Sequence, residues 1–416
     1  MADTRLPSNG PGGGTAPGRW NYLGICVMTV IIIVAAASLF VHPVKQRDFL
    51  GFYTAISAFN QGHDPYGTAV LPPVEGQGIA PYVYPPYTLY LFQPVTWFAF
   101  PTAARIFLTL KLVAIAGLVY LWHRLFNLDR YYGLFWLLVP LAFSGTLISD
   151  IRAGNISIFE ELVIWTGFYF YAQKKTAGFG IAISLVAIFK LTPILLLGLL
   201  TVKWRKKELF QAAFFCAAFI GLIAASAVIW PELCASFLKN ARALGGEHGE
   251  NNPSTWALIS DVALWLKIKT GHALPAIIPL AVYAALALGV VAVSAKMFSR
   301  LRSLEEKKAD LWRICLMCLL FALVVPRLKN YNFILLIGPS LYVLASCKWV
   351  NPVVPLGALL TIFSYQSLQW LGTALQPFYT VQREYYCLLL AWMAWGLCCY
   401  SIWRETSESD CPRSTA

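Results

Sequence analysis

The sequence predicts an all-α polytopic membrane protein, and three observations carry that class. Hydrophobic residues make up 58% of the 416 and charged residues 12%, with a mean hydropathy of +0.62, which is not the balance of a soluble globular domain. The apolar runs are long and continuous, without the alternation of barrel strands. Lipid offers the backbone no hydrogen-bond partner, so such runs cross it as helices that satisfy themselves.

The elements follow in chain order. Residues 1–19 are rich in Gly and Pro, have little to bury and read as a flexible cytoplasmic tail. The segment 21–41 has roughly the ~20 residues of a spanning helix and exceeds the apolar core of a secretory signal, so it reads as a retained anchor. A polar loop, 42–85, comes next. Within it Phe49, Phe52, Tyr53, Ile56 and Phe59 recur at three and four, the spacing of an amphipathic helix on the membrane surface. "NQGHDPYG" then reads as a turn in which Gly62 ends the helix and Pro65 fixes the chain. "PYVYPPYTLY" (81–90) bars a helix until Pro86, where Pro suits a first turn. Further apolar segments run at 86–100, 104–121, 132–149, 156–172, 178–202, 209–230, 273–295, 311–325, 331–346, 352–372 and 385–403. Residues 20–404 therefore form one transmembrane domain, and 405–416 a second cytoplasmic tail.

The formal net charge of +12 raises nucleic acid as a partner, but the basic residues gather in short connections such as "KWRKKE" (203–208) and "SRLRSLEEKK" (299–308). That is the positive-inside pattern of cytoplasmic loops, so nucleic acid is set aside and the outer connections become 42–85 and 231–256. The segment 178–202 has "QKK" on one side and "KWRKK" on the other, which puts both its ends in the cytoplasm. It reads as a hairpin turning at "FKLTP", with Lys190 and Pro193 at the deep end. Counting 86–100 and 104–121 both as crossings would put "HRLFNLDR" (123–130) outside, against its charge. An incomplete crossing between Pro94 and Pro101 restores the parity and gives about 12 spans, within a range of 11–13.

Ten cysteines do not form a disulfide framework, because eight lie in apolar segments. Cys315 and Cys318 of "CLMC" lack paired His ligands and read as helix packing, not as a zinc site. No Walker loop, dinucleotide fingerprint, HExxH or GxSxG is present.

Polar residues at membrane depth are costly unless they line a cavity, so they carry the functional reading. Asp48 opens the surface helix, where it serves either as a helix cap or as a catalytic carboxylate. Asp64 suits an Asx turn. His63 is either a solvated loop residue or a proton-transfer group. "SDIRAGNISIF" (149–159), "GGEHGENNPSTW" (245–256) and "PRLKNYN" (326–332) interrupt apolar runs on the same side, bringing Arg152, Asn155, His248, Arg327 and Lys329. Lys190 is either an anion ligand or a lysine snorkelling from a single span. Together the cations suit a phosphate.

Taken in order, "RDFLGFYTAISAFNQGHDPYG", "YVYPPYTLYLFQP", "RAGNISIF", "AISLVAIFKLTPILLL", a basic loop and "NNPSTWALI" resemble glycosyltransferase family 87, which includes polyprenyl-phosphate-dependent mannosyl- and arabinofuranosyltransferases of the GT-C fold. The likeness runs from Asp48 to about Ile259. It implies Asp48 as general base, with Tyr66 of the "GxDPY" turn and Tyr84 of "YPP" shaping the first loop. Where the family has a "GQxN"-like element this chain offers Asn155, its "K-x-x-P" element fits Lys190 to Pro193, and its "SPxSW"-like region is replaced by "VPRLKNYNF".

The resemblance implies an inverting transfer of a sugar from a polyprenyl phosphate to a hydroxyl of a lipid or glycan acceptor, among membrane lipids. The active site is expected on the exoplasmic or periplasmic side of a bacterial inner (plasma) membrane. Lys190 and Arg152, then Arg327, Lys329 and His248, are the expected phosphate and substrate ligands. No cofactor is expected and a divalent metal is not implied, since the donor carries its own leaving group and no DxD-like site is visible. The competing readings are a lipid or solute transporter using the same polar path and a non-catalytic scaffold.

Overall fold

The computed structural model describes residues 19–67, 82–126, 132–243, 246–346 and 376–410, and every regular element among them is helical. In chain order these are α1 (Arg19–Val41), α2 (Arg47–Asn60), α3 (Tyr87–Leu91), α4 (Phe100–Phe126), α5 (Tyr132–Ala153), α6 (Ser157–Ala172), α7 (Thr176–Phe189), α8 (Gly198–Thr201), α9 (Lys206–Ile229), α10 (Pro231–Ala243), α11 (Thr255–Thr270), α12 (Ile277–Arg300), α13 (Glu306–Val324), α14 (Ile337–Ser346) and α15 (Gln376–Asp410). Among the described residues four helices are long and apolar enough to cross a membrane: Phe100–Phe126, Lys206–Ile229, Ile277–Ser303 and Arg383–Glu408. Their outward faces fit lipid as solvent: on α9, Phe210, Ile220 and Val228 are exposed, the last by 82%. The expected span 352–372 lies outside the described residues, as do 1–18 of the first tail and 411–416 of the second. The expected boundary at 404 falls inside α15, which runs on to Asp410.

Side-chain contacts sort the helix ends into two groups. At one end Trp122 and Phe126 of α4 meet Trp165 of α6, and Tyr342 of α14 meets Phe126 and Trp312 of α13. At the other end lie Asp48, the start of α6 and the turn after α13. The helices α4 and α6 run from the Asp48 end to the tryptophan end, and α5 and α13 run back.

The hairpin expected at 178–202 is present. After α7 the chain is extended at Lys190, and Pro193 sits in a 3₁₀ turn, Thr192–Leu197, that leads into α8. Lys174, before α7, and Lys203, after α8, grip the same two carboxylates: Lys174 Nζ lies 2.9 Å from Glu306 and also bonds Asp310, while Lys203 Nζ lies 3.1 Å and 2.8 Å from the same pair. Two chain ends clamped to one helix turn place the segment's entry and exit side by side, and its tip among the residues near Asp48.

The apolar stretch 86–100 is not a crossing. It forms α3 and a 3₁₀ turn, Gln93–Trp97, tied to α2 by Asn60 Nδ2 donating to Thr96 Oγ1 (3.2 Å) and Tyr53 OH donating to Phe98 O (3.1 Å). Prolines at 85, 86, 94 and 101 break the run, which is why apolar composition alone misplaces it. The helix α2 buries Phe49, Phe52, Ala55 and Ile56 against Tyr82, Tyr84, Phe100 and Phe107, so its apolar face is covered by protein aromatics. The amphipathic α10 and the apolar α11 occupy a stretch the sequence reading left as loop or unassigned.

Candidate active site

The chain turns sharply between α1 and α2 through a 3₁₀ turn, Pro43–Lys45, and Gln46 takes the N-cap position of α2. Asp48 is therefore a first-turn residue favoured by the helix dipole, two positions past the N-cap that the cap reading gives it. Gln46 is fully buried and donates from Nε2 to Ala104 O (3.3 Å), which anchors the start of α2 to α4.

The end of α5 abuts this start through Gly154. Its φ is +71°, and a Cβ there would lie 2.8 Å from Gln46 Cβ and 3.0 Å from Phe49 Cβ. Only glycine allows both the left-handed turn and the approach. The next residue, Asn155, is delivered to Asp48: its Nδ2 donates to Asp48 Oδ2 at 2.6 Å and to Tyr331 OH at 3.1 Å. Asn155 Oδ1 accepts from Ser157 N (3.1 Å) and Ser157 Oγ (2.9 Å).

Lys190, at the hairpin tip, joins the same network. Its ammonium lies 2.5 Å from Glu160 Oε2, donates to Ser157 Oγ (2.6 Å) and Asn332 Oδ1 (3.3 Å), and sits 5.4 Å above the Tyr331 ring. Tyr331 and Asn332 come from a 3₁₀ turn, Asn330–Leu336, held by Thr146 Oγ1 donating to Asn330 O (2.6 Å). Thr146 follows a break in α5 at Ala142–Gly145, where Cys387 Sγ bonds Phe143 O. A fully buried pair, Lys111 and Asp150 at 2.5 Å, lies within electrostatic reach of both Asp48 and Lys190. Burial pushes the Tyr84 phenol well above its ordinary range, with Glu160, Tyr331 and Asp48 adding to the effect, so Tyr84 stays a donor.

A second cluster lies beside this one. Glu247 bridges two cations, accepting from Arg327 Nη2 and Lys329 Nζ at 2.7 Å each. Burial raises the Glu247 carboxyl, but the bonds from Lys329 and Arg327 outweigh it and hold the carboxyl below its ordinary 4.5. Asn252 Oδ1 accepts from Leu328 N (2.9 Å) and Ser254 Oγ donates to Pro326 O (2.6 Å), fastening "NNPS" to the turn after α13. Tyr331 feels the charges of Asp48 and of Glu247, so it stands between the clusters.

The remaining expected residues separate by role. Arg152, exposed at the end of α5, carries no ion pair among the described residues. Asp64 Oδ1 accepts from Tyr66 N (3.0 Å), the Asx turn expected of it. Tyr66 is buried and donates to Tyr84 O (2.7 Å), so this pair supports the loop. His63 is exposed just past the end of α2. His248 Nδ1 lies 2.9 Å from Asp261, apart from the Asp48 network, and Asp261 also accepts from Tyr385 OH. Sequence reasoning missed Ser157, Glu160, Tyr331, Asn332 and Glu247 as individual residues. The signal for Glu160 was there: a Glu-Glu pair inside an apolar run. Among the described residues no three of His, Cys, Asp or Glu gather as a metal-binding group.

This arrangement holds a half-buried carboxylate beside an amide, with a cation pair next to it, which suits removal of a hydroxyl proton next to a developing anion. Comparison with curated proteins finds no match. The family model described as glycosyltransferase family 87 matches residues 82–326, a span that starts after Asp48 and reaches beyond the expected limit near Ile259 to end beside Arg327. With more than half of its length matched, the chain belongs to glycosyltransferase family 87 and is a glycosyltransferase.

Proposed function

We propose that the protein transfers a sugar, of mannose or arabinofuranose type, from a polyprenyl phosphate to a hydroxyl of a lipid or glycan acceptor. Asp48 is the general base, and the reaction inverts the anomeric carbon. The observation that carries this reading is the 2.6 Å bond from Asn155 to Asp48 Oδ2, which holds one carboxylate oxygen and leaves Oδ1 for the acceptor. As the acceptor oxygen bonds the anomeric carbon, its proton passes to Asp48 and the bond from that carbon to the phosphate oxygen breaks. The phosphate leaves with the electron pair. A positioned base contributes about 10²–10⁴ in rate. Arg327 and Lys329 share the one carboxylate of Glu247 and so keep a positive charge in excess, which, with Arg152, stabilises the leaving phosphate's charge.

The same reading orients the molecule as a GT-C bundle. The ends carrying Lys174, Lys203 and Arg205 face the cytoplasm, and Asp48, α2, α10 and the Glu247 loop face the exoplasmic or periplasmic side of an inner membrane. On this reading α1, α4, α5, α6, α9, α12, α13, α14 and α15 are crossings, α7 and the stretch 192–201 are the two arms of the hairpin, and the apolar segment 352–372 is counted from sequence, which together give 12. The transporter reading gives way because the family is one of glycosyltransferases. To test the proposal, purified protein in liposomes is given polyprenyl-phosphate mannose or arabinofuranose with a membrane glycolipid extract. Acceptor-dependent release of polyprenyl phosphate from one donor is the expected result, and release from neither overturns the donor class.

A further inference from the structure

Lys190 departs from what a phosphate ligand needs. An ammonium has three N–H donors, and here three acceptors take them: Glu160 Oε2, Ser157 Oγ and Asn332 Oδ1. Its charge is already neutralised at 2.5 Å by Glu160, which is only 7% exposed. A donor phosphate would have to displace a buried carboxylate to reach it. The opposite holds for Arg152, exposed and without an ion pair among the described residues.

The direction of the hydrogen bonds says what Lys190 does instead. The backbone N–H of Ser157 only donates, so Asn155 must turn Oδ1 toward it and its NH₂ toward Asp48. Asn155 is thereby committed as a donor, and Asp48 as the acceptor of that bond. The Ser157 hydroxyl has two possible acceptors, Asn155 Oδ1 at 2.9 Å and Asn332 Oδ1 at 3.2 Å. Lys190 donates to Ser157 Oγ and to Asn332 Oδ1, which satisfies the second acceptor and leaves the hydroxyl proton to Asn155. Glu160, from the first turn of α6, holds the ammonium in place. The relay therefore runs from Glu160 through Lys190, Ser157 and Asn155 to Asp48. It crosses from the hairpin tip to α2, segments far apart in sequence.

We propose that Lys190, held by Glu160, is a positioning residue that aims the Asp48 carboxylate through Ser157 and Asn155 and does not touch the donor phosphate. This rests on the transferase reading above, with Asp48 as base. The test uses the full-length protein in nanodiscs, measuring kcat and donor KM for polyprenyl-phosphate sugar and, separately, Kd for sugar-free polyprenyl phosphate. Lys190→Met and Ser157→Ala are each expected to lower kcat by about 10–100-fold, the scale of a misaimed catalytic group, with donor KM and Kd held within about threefold. In the double variant the two losses do not add, because both break one relay.

Because Lys190→Met leaves Glu160 buried without a partner, the paired variant Lys190→Met/Glu160→Gln removes both charges and is expected to fold with the same low kcat and unchanged Kd. A rise of about tenfold or more in Kd with kcat retained would make Lys190 a phosphate ligand and overturn the proposal, as would additive losses in the Lys190 and Ser157 cycle. Failure of the wild type itself to release polyprenyl phosphate would instead bring down the donor reading, and this role with it.

Discussion

Asn155→Ala is the perturbation that probes how the base is held. It removes a 2.6 Å bond to Asp48 Oδ2 and a 3.1 Å bond to Tyr331. A hydrogen bond to a charged group is worth about 1.5–3 kcal/mol, and a misplacement on the order of 1 Å near the chemistry costs about 10²-fold in rate. A compensating effect runs the other way, because the amide also stabilises the ionised carboxylate, and losing it returns part of the driving force for proton transfer. The aiming loss is the larger, so kcat is expected to fall about 10–100-fold. The substitution also strands the Ser157 N–H, at a stability cost of about 1–3 kcal/mol, so rates are compared per folded molecule. The assay is the initial rate of polyprenyl phosphate release in nanodiscs. A rate within about twofold of wild type, or a loss confined to KM, would refute a positioning role for Asn155.

Gly154→Ala forces a left-handed φ of +71° on a residue whose Cβ meets Gln46 and Phe49; a stability loss of about 1–3 kcal/mol with a parallel fall in turnover is expected, and wild-type thermal stability would contradict it. Asp310→Asn removes a carboxylate only 1% exposed that binds Lys174, Lys203 and Arg313, and should lower stability by about 3 kcal/mol in a detergent melt. Glu306→Gln should cost less than about 1 kcal/mol: bonds from Lys174 and Lys203 hold its carboxyl down at about 2, but solvent screens an exposed group. Equal melting shifts would argue against the hairpin clamp. Because the folded Glu247 carboxyl is depressed, its contribution is full above about pH 4.5 and lost as pH falls through the lowered value. Hydrogen exchange of residues 246–252 should therefore rise in acid in wild type, with the response removed in Glu247→Gln.

Much of the fold was legible because charge and proline act locally. Basic runs on both sides of 178–202 announced a hairpin, and the break at Lys190 and Pro193 is where the sequence put it. The parity conflict around "HRLFNLDR" likewise pointed to an incomplete crossing, now a 3₁₀ turn beside α2. In the site, Asp48, Asn155 and Lys190 stood out as polar groups in apolar surroundings, and the structure joins all three in one network. What stayed hidden depends on helix rotation and on contacts across most of the chain. Tyr331 and Asn332 were overshadowed by Arg327 and Lys329, although the neutral pair reaches Asn155 and Lys190 while the cations bind Glu247. The choice of Glu160 as partner for Lys190 rests on packing between α6 and the hairpin, which no local pattern encodes.

The measurement that bears most directly on the account is acceptor-dependent release of polyprenyl phosphate by wild type and Asp48→Asn, both reconstituted and equally folded. The substitution keeps size and shape but removes the group that takes the acceptor proton. Turnover in wild type with a loss of about 10²-fold or more in the variant is the predicted result. Equal release from the two proteins would contradict the assignment of Asp48 as the general base.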